Sequence, residues 1–131
     1  MFTARAIMTN HVVTITPDRS IQAAIEILLS QRISGLPVTN SDGQLVGIVT
    51  EFALLAIAYD EKARQECISK HMTTEVFSVE ANAPINKVAD LCLVHRVRRV
   101  PVLEGGRLIG MISRRDVLKA LYEAQAPICT A

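Results

Sequence analysis

Five arginines stand at two places where the sequence predicts that a strand or a helix begins. Arg96, Arg98 and Arg99 lead into one apolar run, and Arg114 with Arg115 opens a helix after another. The free backbone N–H groups and the positive dipole end of a helix N-terminus attract phosphate, and guanidinium groups there add to that attraction. The pattern therefore indicates an anion-binding surface. A solvated charged face is the alternative that the sequence leaves open.

A hydroxyl and a carboxylate lie three residues apart in Ser113-Arg114-Arg115-Asp116. This spacing is close to that of a capping box, in which the acid accepts a hydrogen bond from the N-cap backbone N–H. Taken alone, the sequence favours this structural interpretation of Asp116 over a carboxylate that holds a ligand.

The sequence gives little support to a catalytic or a metal-binding site. The histidines are not at metal-ligand spacing from one another or from a cysteine, and no nucleophile elbow or glycine-rich phosphate loop is present. The cysteines are odd in number and widely spaced, which favours reduced thiols with packing or tail roles. We therefore expect no metal site, no catalytic residue and no enzyme activity. The residues concerned are His11, His71, His95, Cys67, Cys92 and Cys129.

The chain is an internal duplication. Met8-Thr9 recurs as Met72-Thr73 at an offset of 64 residues, and Gly47 recurs as Gly110 at 63, after one residue is lost in a turn. A period this long indicates two supersecondary units, each too small to bury its apolar faces alone. We predict a first repeat over residues 3–64, a second over 65–125 and a C-terminal tail over 126–131.

Each repeat is predicted to fold as strand, helix, hairpin and helix. Ser20 is expected to cap the first helix, and Ser113 caps the last, which is expected to run to about residue 124. The fold class is therefore α/β (α+β), with two βαββα repeats about an approximate twofold axis. The predicted strands cover residues 12–15, 36–39, 44–49, 76–79, 100–103 and 107–112.

The two repeats resemble a tandem pair of cystathionine-β-synthase-type (CBS) domains, also called a Bateman module. The resemblance covers roughly residues 3–125. It is carried by Met8-Thr9 and Met72-Thr73, by Gly35-Leu36-Pro37-Val38 and Arg99-Val100-Pro101-Val102, and by Gly47-Ile48-Val49-Thr50 and Gly110-Met111-Ile112-Ser113.

The resemblance implies that an adenosine-containing ligand lies in a cleft between the repeats. The family's Thr/Ser-x-x-Asp holds the ribose hydroxyls, a role that falls to Ser113 and Asp116, and Arg99 would reach a phosphate. Other residues would lie against the base or line the cleft. The nucleotide-binding residues that we predict are Met8, Val13, Ile33, Ser34, Gly35, Arg99, Met111, Ser113 and Asp116.

The corresponding cleft of the other repeat departs from the family pattern. Its motif is Thr50-Glu51-Phe52-Ala53, so Ala53 stands where the ribose-binding carboxylate should be. Because that acceptor is missing, we expect this cleft to bind weakly, to bind nothing, or to hold a phosphate by arginine alone. The residues predicted to form it are Thr50, Met72, Phe77, Val97 and Arg98.

Composition suggests a cytoplasmic homodimer. Half of the residues are hydrophobic and few are aromatic, which predicts an aliphatic core; no targeting or membrane-spanning segment is apparent. The run over residues 52–59 is apolar on nearly every side, so we expect Leu54, Leu55 and Ile57 to contribute to a dimer contact. Net charge is +1, with the second half of the chain more basic than the first.

These observations predict a stand-alone regulatory CBS pair that binds an adenine nucleotide or adenosyl metabolite and signals its level to an unknown effector protein in trans. The resemblance does not choose between AMP, ADP, ATP, S-adenosylmethionine and a dinucleotide. A ligand-free dimerisation module is the alternative. Nucleic-acid binding is less favoured, because no aromatic residues interleave with the arginines as a stacking platform would.

Overall fold

The computed structural model describes residues 2–129, and its chain divides into two compact units. The first, which we call the central unit, is Val13–Val76. The second, the split unit, is formed by Met1–Val12 together with Phe77–Ala131. These units differ from the sequence repeats, because residues 1–12 pack with the second repeat and residues 65–76 with the first. The predicted mixed α/β class is confirmed.

The central unit contains a two-stranded antiparallel hairpin and the helices on either side of it in sequence. The Ser20 hydroxyl caps the first helix by accepting a hydrogen bond from Ala23 N at 3.1 Å, and Ile21, Ala24 and Leu28 form its buried face. Helix α1 (Ala4–Ile7) belongs to the split unit. The elements of the central unit are α2 (Ile21–Gln31), β1 (Gly35–Thr39), β2 (Leu45–Thr50), α3 (Glu51–Leu55), α4 (Glu61–Arg64) and a 3-10 turn at Ile68–Lys70.

The split unit contains a three-stranded sheet in the order β3-β4-β5, in which β3 is parallel to β4 and β5 is antiparallel to it. Its N-terminal segment is fixed by backbone hydrogen bonds from Ala4 N to Ala83 O at 2.8 Å and from Arg5 N to Ala81 O at 2.9 Å. Its elements are α1 (Ala4–Ile7), β3 (Val79–Glu80), α5 (Ile85–His95), β4 (Arg99–Glu104), β5 (Arg107–Ser113) and α6 (Arg114–Cys129).

The strand predicted to open each repeat is shorter than expected. In the central unit only Ile15 pairs, as a parallel bridge to Val38, with Ile15 N donating to Pro37 O at 3.1 Å. Continuing the ladder toward residue 13 would require an N–H from Pro37, which proline lacks. Pro101 imposes the same limit on β3, which covers Val79–Glu80 in place of the predicted residues 76–79.

The last helix is longer than predicted, because α6 continues past residue 124 to Cys129. Part of the predicted tail is therefore helical, and residues 130–131 lie outside the described residues. None of the helices within residues 2–129 combines the length and the apolar character needed to cross a bilayer.

Both units have aliphatic cores. Ile68, which follows the central unit's last helix, is fully buried with the side chains of α2 and the hairpin. Beside it, the Glu66 carboxylate pairs with Lys70 and His71, and hydrogen bonds from these two side chains hold the pKa of Glu66 below its usual value. The segment around residue 68 is thus an integral part of the central unit.

A glycine in β2 allows a neighbouring segment to approach the strand closely. A Cβ at Gly47 would lie 2.7 Å from Met72 Sδ and 2.9 Å from the backbone oxygen of Thr73. The Thr73 backbone cannot move away easily, because it exchanges two hydrogen bonds with Ile48, each 2.9 Å long.

We therefore expect Gly47→Ala to lower the free energy of unfolding by about 1–3 kcal/mol through overpacking. Gly35→Ala in the facing strand is the matched control, because its Cβ would meet nothing closer than 3.6 Å. Urea denaturation of both variants measures the difference. Equal stability of the two would contradict the close-approach account.

Candidate functional site

Ser113 and Asp116 form a reciprocal capping box where β5 passes into α6. Ser113 N donates to Asp116 Oδ2 at 2.9 Å, and Asp116 N donates to Ser113 Oγ at 3.1 Å. The capping role that the sequence favoured for Asp116 is therefore confirmed. Among the described residues no donor is hydrogen-bonded to Asp116 Oδ1, so the carboxylate keeps acceptor capacity beyond the cap.

Four arginines lie next to this junction along the backbone. The β4–β5 register places Arg99 opposite Ser113, and Arg114 N donates to the backbone oxygen of Arg98 at 2.9 Å. Arg98, Arg99, Arg114 and Arg115 are all exposed. Within residues 2–129 none of them forms a salt bridge, so the junction presents free positive charge next to a partly satisfied carboxylate.

Met8 lies beside the same strand. Thr9 and Met111 exchange two backbone hydrogen bonds of 2.8 and 3.1 Å, and this bridge places the Met8 side chain against the position that a Cβ on Gly110 would occupy. Met8 is partly buried and packs on the core of the split unit. Five of the predicted nucleotide-binding residues thus share one unit: Met8, Arg99, Met111, Ser113 and Asp116.

The other four predicted nucleotide-binding residues belong to the central unit. Val13 and Ile33 are partly buried and pack on its core, which gives both a structural role. Ser34 accepts a hydrogen bond from Glu51 N at 2.9 Å through its backbone oxygen, and Gly35 pairs with Thr50 in the hairpin. Their contribution to ligand binding stays a prediction.

The residues predicted for the weaker cleft are also divided between the units. Thr50 and Met72 are in the central unit, whereas Phe77, Val97 and Arg98 are in the split unit. Thr50 Oγ1 caps α3 by accepting from Ala53 N at 3.2 Å, without the return bond that Asp116 makes. The Phe77 ring stacks on His95 with centroids 4.0 Å apart and an interplanar angle of 19°.

No cluster that could hold a metal ion occurs in the part of the chain that the structure describes. His71 Nε2 lies 3.0 Å from Glu66 Oε1 in the central unit. Burial raises the pKa of the Cys92 thiol, an effect that the nearby charge of Arg114 partly opposes. Cys92 is therefore a poor nucleophile.

The two units differ more in net charge than the two halves of the sequence do. The split unit has nine Lys and Arg against five Asp and Glu, a formal net charge of +4, whereas the central unit has five against eight, a net charge of −3. The sequence indicated an anion-binding surface at Arg114 and Arg115, but the list of predicted nucleotide-binding residues contained Arg99 without these two.

Comparison with known proteins identifies the family. A family model for the CBS domain matches residues 4–60 and again residues 67–123. The chain therefore belongs to the CBS domain family and carries two copies of the domain, which confirms the resemblance inferred from the duplicated motifs.

Related sequences occur both as similar-sized proteins and as parts of longer ones. A CBS domain-containing protein of Dictyostelium discoideum is 32% identical, with 95% of this chain and 94% of the relative covered. An uncharacterized protein of Methanocaldococcus jannaschii is 31% identical over 89% of this chain, and an inosine-5'-monophosphate dehydrogenase of the same organism 32% over 94%. The chain spans only 42% and 24% of these last two.

Two solved structures share both fold and moderate sequence identity. CBSX2 in complex with AMP has a TM-score of 0.85 and 28% identity, covering 95% of this chain and 99% of that one. The CBS-domain containing protein ATU1752 from Agrobacterium tumefaciens has a TM-score of 0.77 and 34% identity, covering 92% and 99%.

The capping box makes a direct prediction about stability. Asp116→Ala removes the acceptor of Ser113 N–H, so we expect a loss of about 0.5–2 kcal/mol in the free energy of unfolding. Asp116→Asn should stay within about 0.5 kcal/mol of the wild type, because its amide oxygen can accept the same bond. Chemical denaturation measures both variants. If Asn is as destabilising as Ala, the negative charge is what matters at this position.

Proposed function

We propose that this chain is a regulatory module that binds an adenine nucleotide or another adenosyl compound at the Ser113–Asp116 junction of the split unit. The observation that carries the proposal is the Asp116 carboxylate, which is fixed through one oxygen by Ser113 N–H and lies at a junction whose arginines form no salt bridge within residues 2–129. The proposal is supported by membership of the CBS domain family and by similarity to CBSX2, whose structure contains AMP.

The proposed binding chemistry follows from the groups at this junction. A carboxylate can accept hydrogen bonds from two neighbouring ribose hydroxyls, and such charge-assisted bonds are roughly twice as strong as neutral ones. We propose that Arg99, which lies opposite Ser113 in the sheet, contacts a phosphate attached to that ribose. Met8 supplies a polarizable side chain for the base. None of these proposed contacts transfers a proton or breaks a bond, so they fit the binding site of a sensor better than that of a catalyst.

The central unit offers a weaker version of this junction. Thr50 keeps the hydroxyl, but Ala53 replaces the carboxylate, so ribose hydroxyls would lack their charged acceptor there. We propose one tight adenosyl ligand per chain, with regulation exerted on an effector protein in trans. A cytoplasmic location also remains a prediction.

The ligand proposal predicts a stabilising interaction with at least one adenosine compound. A ligand at about a hundred times its dissociation constant should stabilise the fold by about 2.7 kcal/mol. We expect Asp116→Asn to weaken binding by about 1.5–3 kcal/mol, because it keeps the cap but loses the charge-assisted bonds to ribose. Thermal-shift assays with AMP, ADP, ATP and S-adenosylmethionine, followed by calorimetry, measure both effects.

Calorimetry also gives the stoichiometry, for which we expect one tight site per chain. The matched control is Ala53→Asp, which restores a carboxylate at the corresponding position of α3 and should strengthen binding at the second site. Normal affinity in Asp116→Asn would reject Asp116 as the ribose acceptor. Two equivalent wild-type sites would reject the asymmetry.

A dimerisation role is supported by apolar side chains exposed at equivalent positions of both repeats. Leu55 in α3 is 70% exposed and its counterpart Leu118 in α6 is 69% exposed; Tyr59 and Tyr122 form a second exposed pair. The prediction that Leu54 contributes to a dimer contact is wrong, because Leu54 is only 4% exposed and lies in the central core. Ile57 also packs on that core.

We propose that two apolar surfaces join copies of the chain: Leu55 with Tyr59 on the central unit, and Leu118 with Tyr122 on the split unit. Light scattering at micromolar concentration should give the mass of a homodimer for the wild type. Leu55→Lys and Leu118→Lys should each shift the equilibrium toward monomer, because a charge would replace buried apolar area. Leu29→Lys, an exposed position on α2, is a surface control. A wild-type monomer at all concentrations would refute the proposal.

A further inference from the structure

The positive charge of the split unit is concentrated at one end of its sheet. Arg98 and Arg99 stand at the start of β4, Arg114 and Arg115 at the start of α6, and the Arg114 N to Arg98 O bond of 2.9 Å joins the two segments. We call these four residues the arginine cluster. In the described part of the chain no carboxylate forms a salt bridge with any of them.

The fold does not require this charge. The central unit builds the same strand-to-helix junction, with Glu51 N donating to Ser34 O at 2.9 Å. At the positions that correspond to the arginine cluster it carries Ser34, Gly35, Glu51 and Phe52. Two copies of one repeat thus form the same backbone contacts with very different charge, so the arginines are not needed to form the junction.

Four neighbouring positive charges repel one another, and this repulsion costs free energy. Salt and water reduce that free-energy cost without removing it. An anion with several charges would relieve the repulsion and could accept more than one guanidinium at a time. Asp116 contributes only one negative charge, so it can offset only part of this repulsion. The cluster therefore matches a chain of phosphates better than one phosphate.

We propose that the arginine cluster binds an oligophosphate, so that the ligand at this junction is a nucleotide with a phosphate chain, of the nucleoside triphosphate class, rather than a monophosphate or a cationic sulfonium compound. This inference rests on the proposed function, in which Asp116 holds the ribose. Affinity should then rise with phosphate number, in the order AMP, ADP, ATP. It should also fall steeply with salt, since each phosphate–arginine contact is screened.

The test is calorimetry of the full chain with adenosine, AMP, ADP and ATP at low and at high salt. We expect ATP to bind at least about tenfold more tightly than AMP at low salt, a ratio that corresponds to about two exposed charge pairs. The double variant Arg98→Ser with Arg114→Gln should bring ATP close to AMP and leave adenosine unchanged. Arg115→Gln should have a smaller effect in the same direction.

Arg107→Gln is the matched control, because Arg107 is an arginine at the opposite end of β5, about 20 Å from Ser113 along an extended strand. It should bind ATP like the wild type. The thermal midpoint of the unliganded double variant should equal or exceed that of the wild type, since repulsion has been removed. A clearly lower midpoint would show that the arginines serve the fold and would overturn the inference.

Further results of these binding measurements distinguish the oligophosphate inference from its alternatives. If AMP and ATP bind equally well, the proposed function stands and the oligophosphate inference fails; if no adenosine compound binds, the proposed function fails. Inorganic tripolyphosphate should compete with ATP only at much higher concentration, and equal potency would mean that free polyphosphate is the ligand. A short single-stranded RNA that binds more tightly than ATP, and loses affinity in the double variant, would indicate a nucleic-acid surface instead.

Discussion

The close approach of two Met-Thr segments to two glycines is the constraint on which both units depend. Thr9 pairs with Met111 and Thr73 with Ile48, and each pairing brings a methionine against a glycine where a Cβ would collide. Each segment comes from one sequence repeat and completes the sheet of the other. The exchange also sets the candidate site, because it places the Met8 side chain against the strand that ends in Ser113. Because residues far apart in sequence close the split unit, its folding depends on non-local contacts, which form slowly.

The two strand-to-helix junctions show which groups the fold itself requires. In the central unit a threonine hydroxyl alone caps α3 through Ala53 N, and the junction closes without a carboxylate. In the split unit the same position has a serine hydroxyl and adds Asp116, which binds back to Ser113 N. A capping carboxylate is worth about 1 kcal/mol to a helix, but the central unit demonstrates that it is optional. The structural role of Asp116 therefore does not exclude a second role; it supplies the rigidity that a ligand-binding carboxylate needs.

Much of this fold could be predicted from sequence because local signals are strong. The Ser20 cap, the apolar spacing of α2 and the glycine turns all lie within a few residues of the elements that they determine. The first strand of each unit could not be placed from its own residues, because its length is limited by a proline in the partner strand. The exchange of segments was also hidden: when two repeats carry nearly the same motif, the sequence cannot tell which copy a Met-Thr segment packs on. The sequence around Leu54 and Leu55 is apolar on nearly every side of its helix, so it did not indicate which of the two leucines is exposed.

The two units differ more in their net charge than in their sequence motifs. One repeated architecture carries a net charge of +4 in the split unit and −3 in the central unit, while both have buried aliphatic cores. Buried positions must resemble each other because they pack equivalent cores, so differences at exposed positions have no packing cause. The largest of these differences fall at one place, where serine, glycine, glutamate and phenylalanine of the central unit correspond to four arginines of the split unit. Asp116, whose counterpart in the central unit is Ala53, lies at that same place. The carboxylate that we propose binds ribose and the arginines that we propose bind phosphate are thus both present in the split unit, whereas the corresponding positions of the central unit have neither.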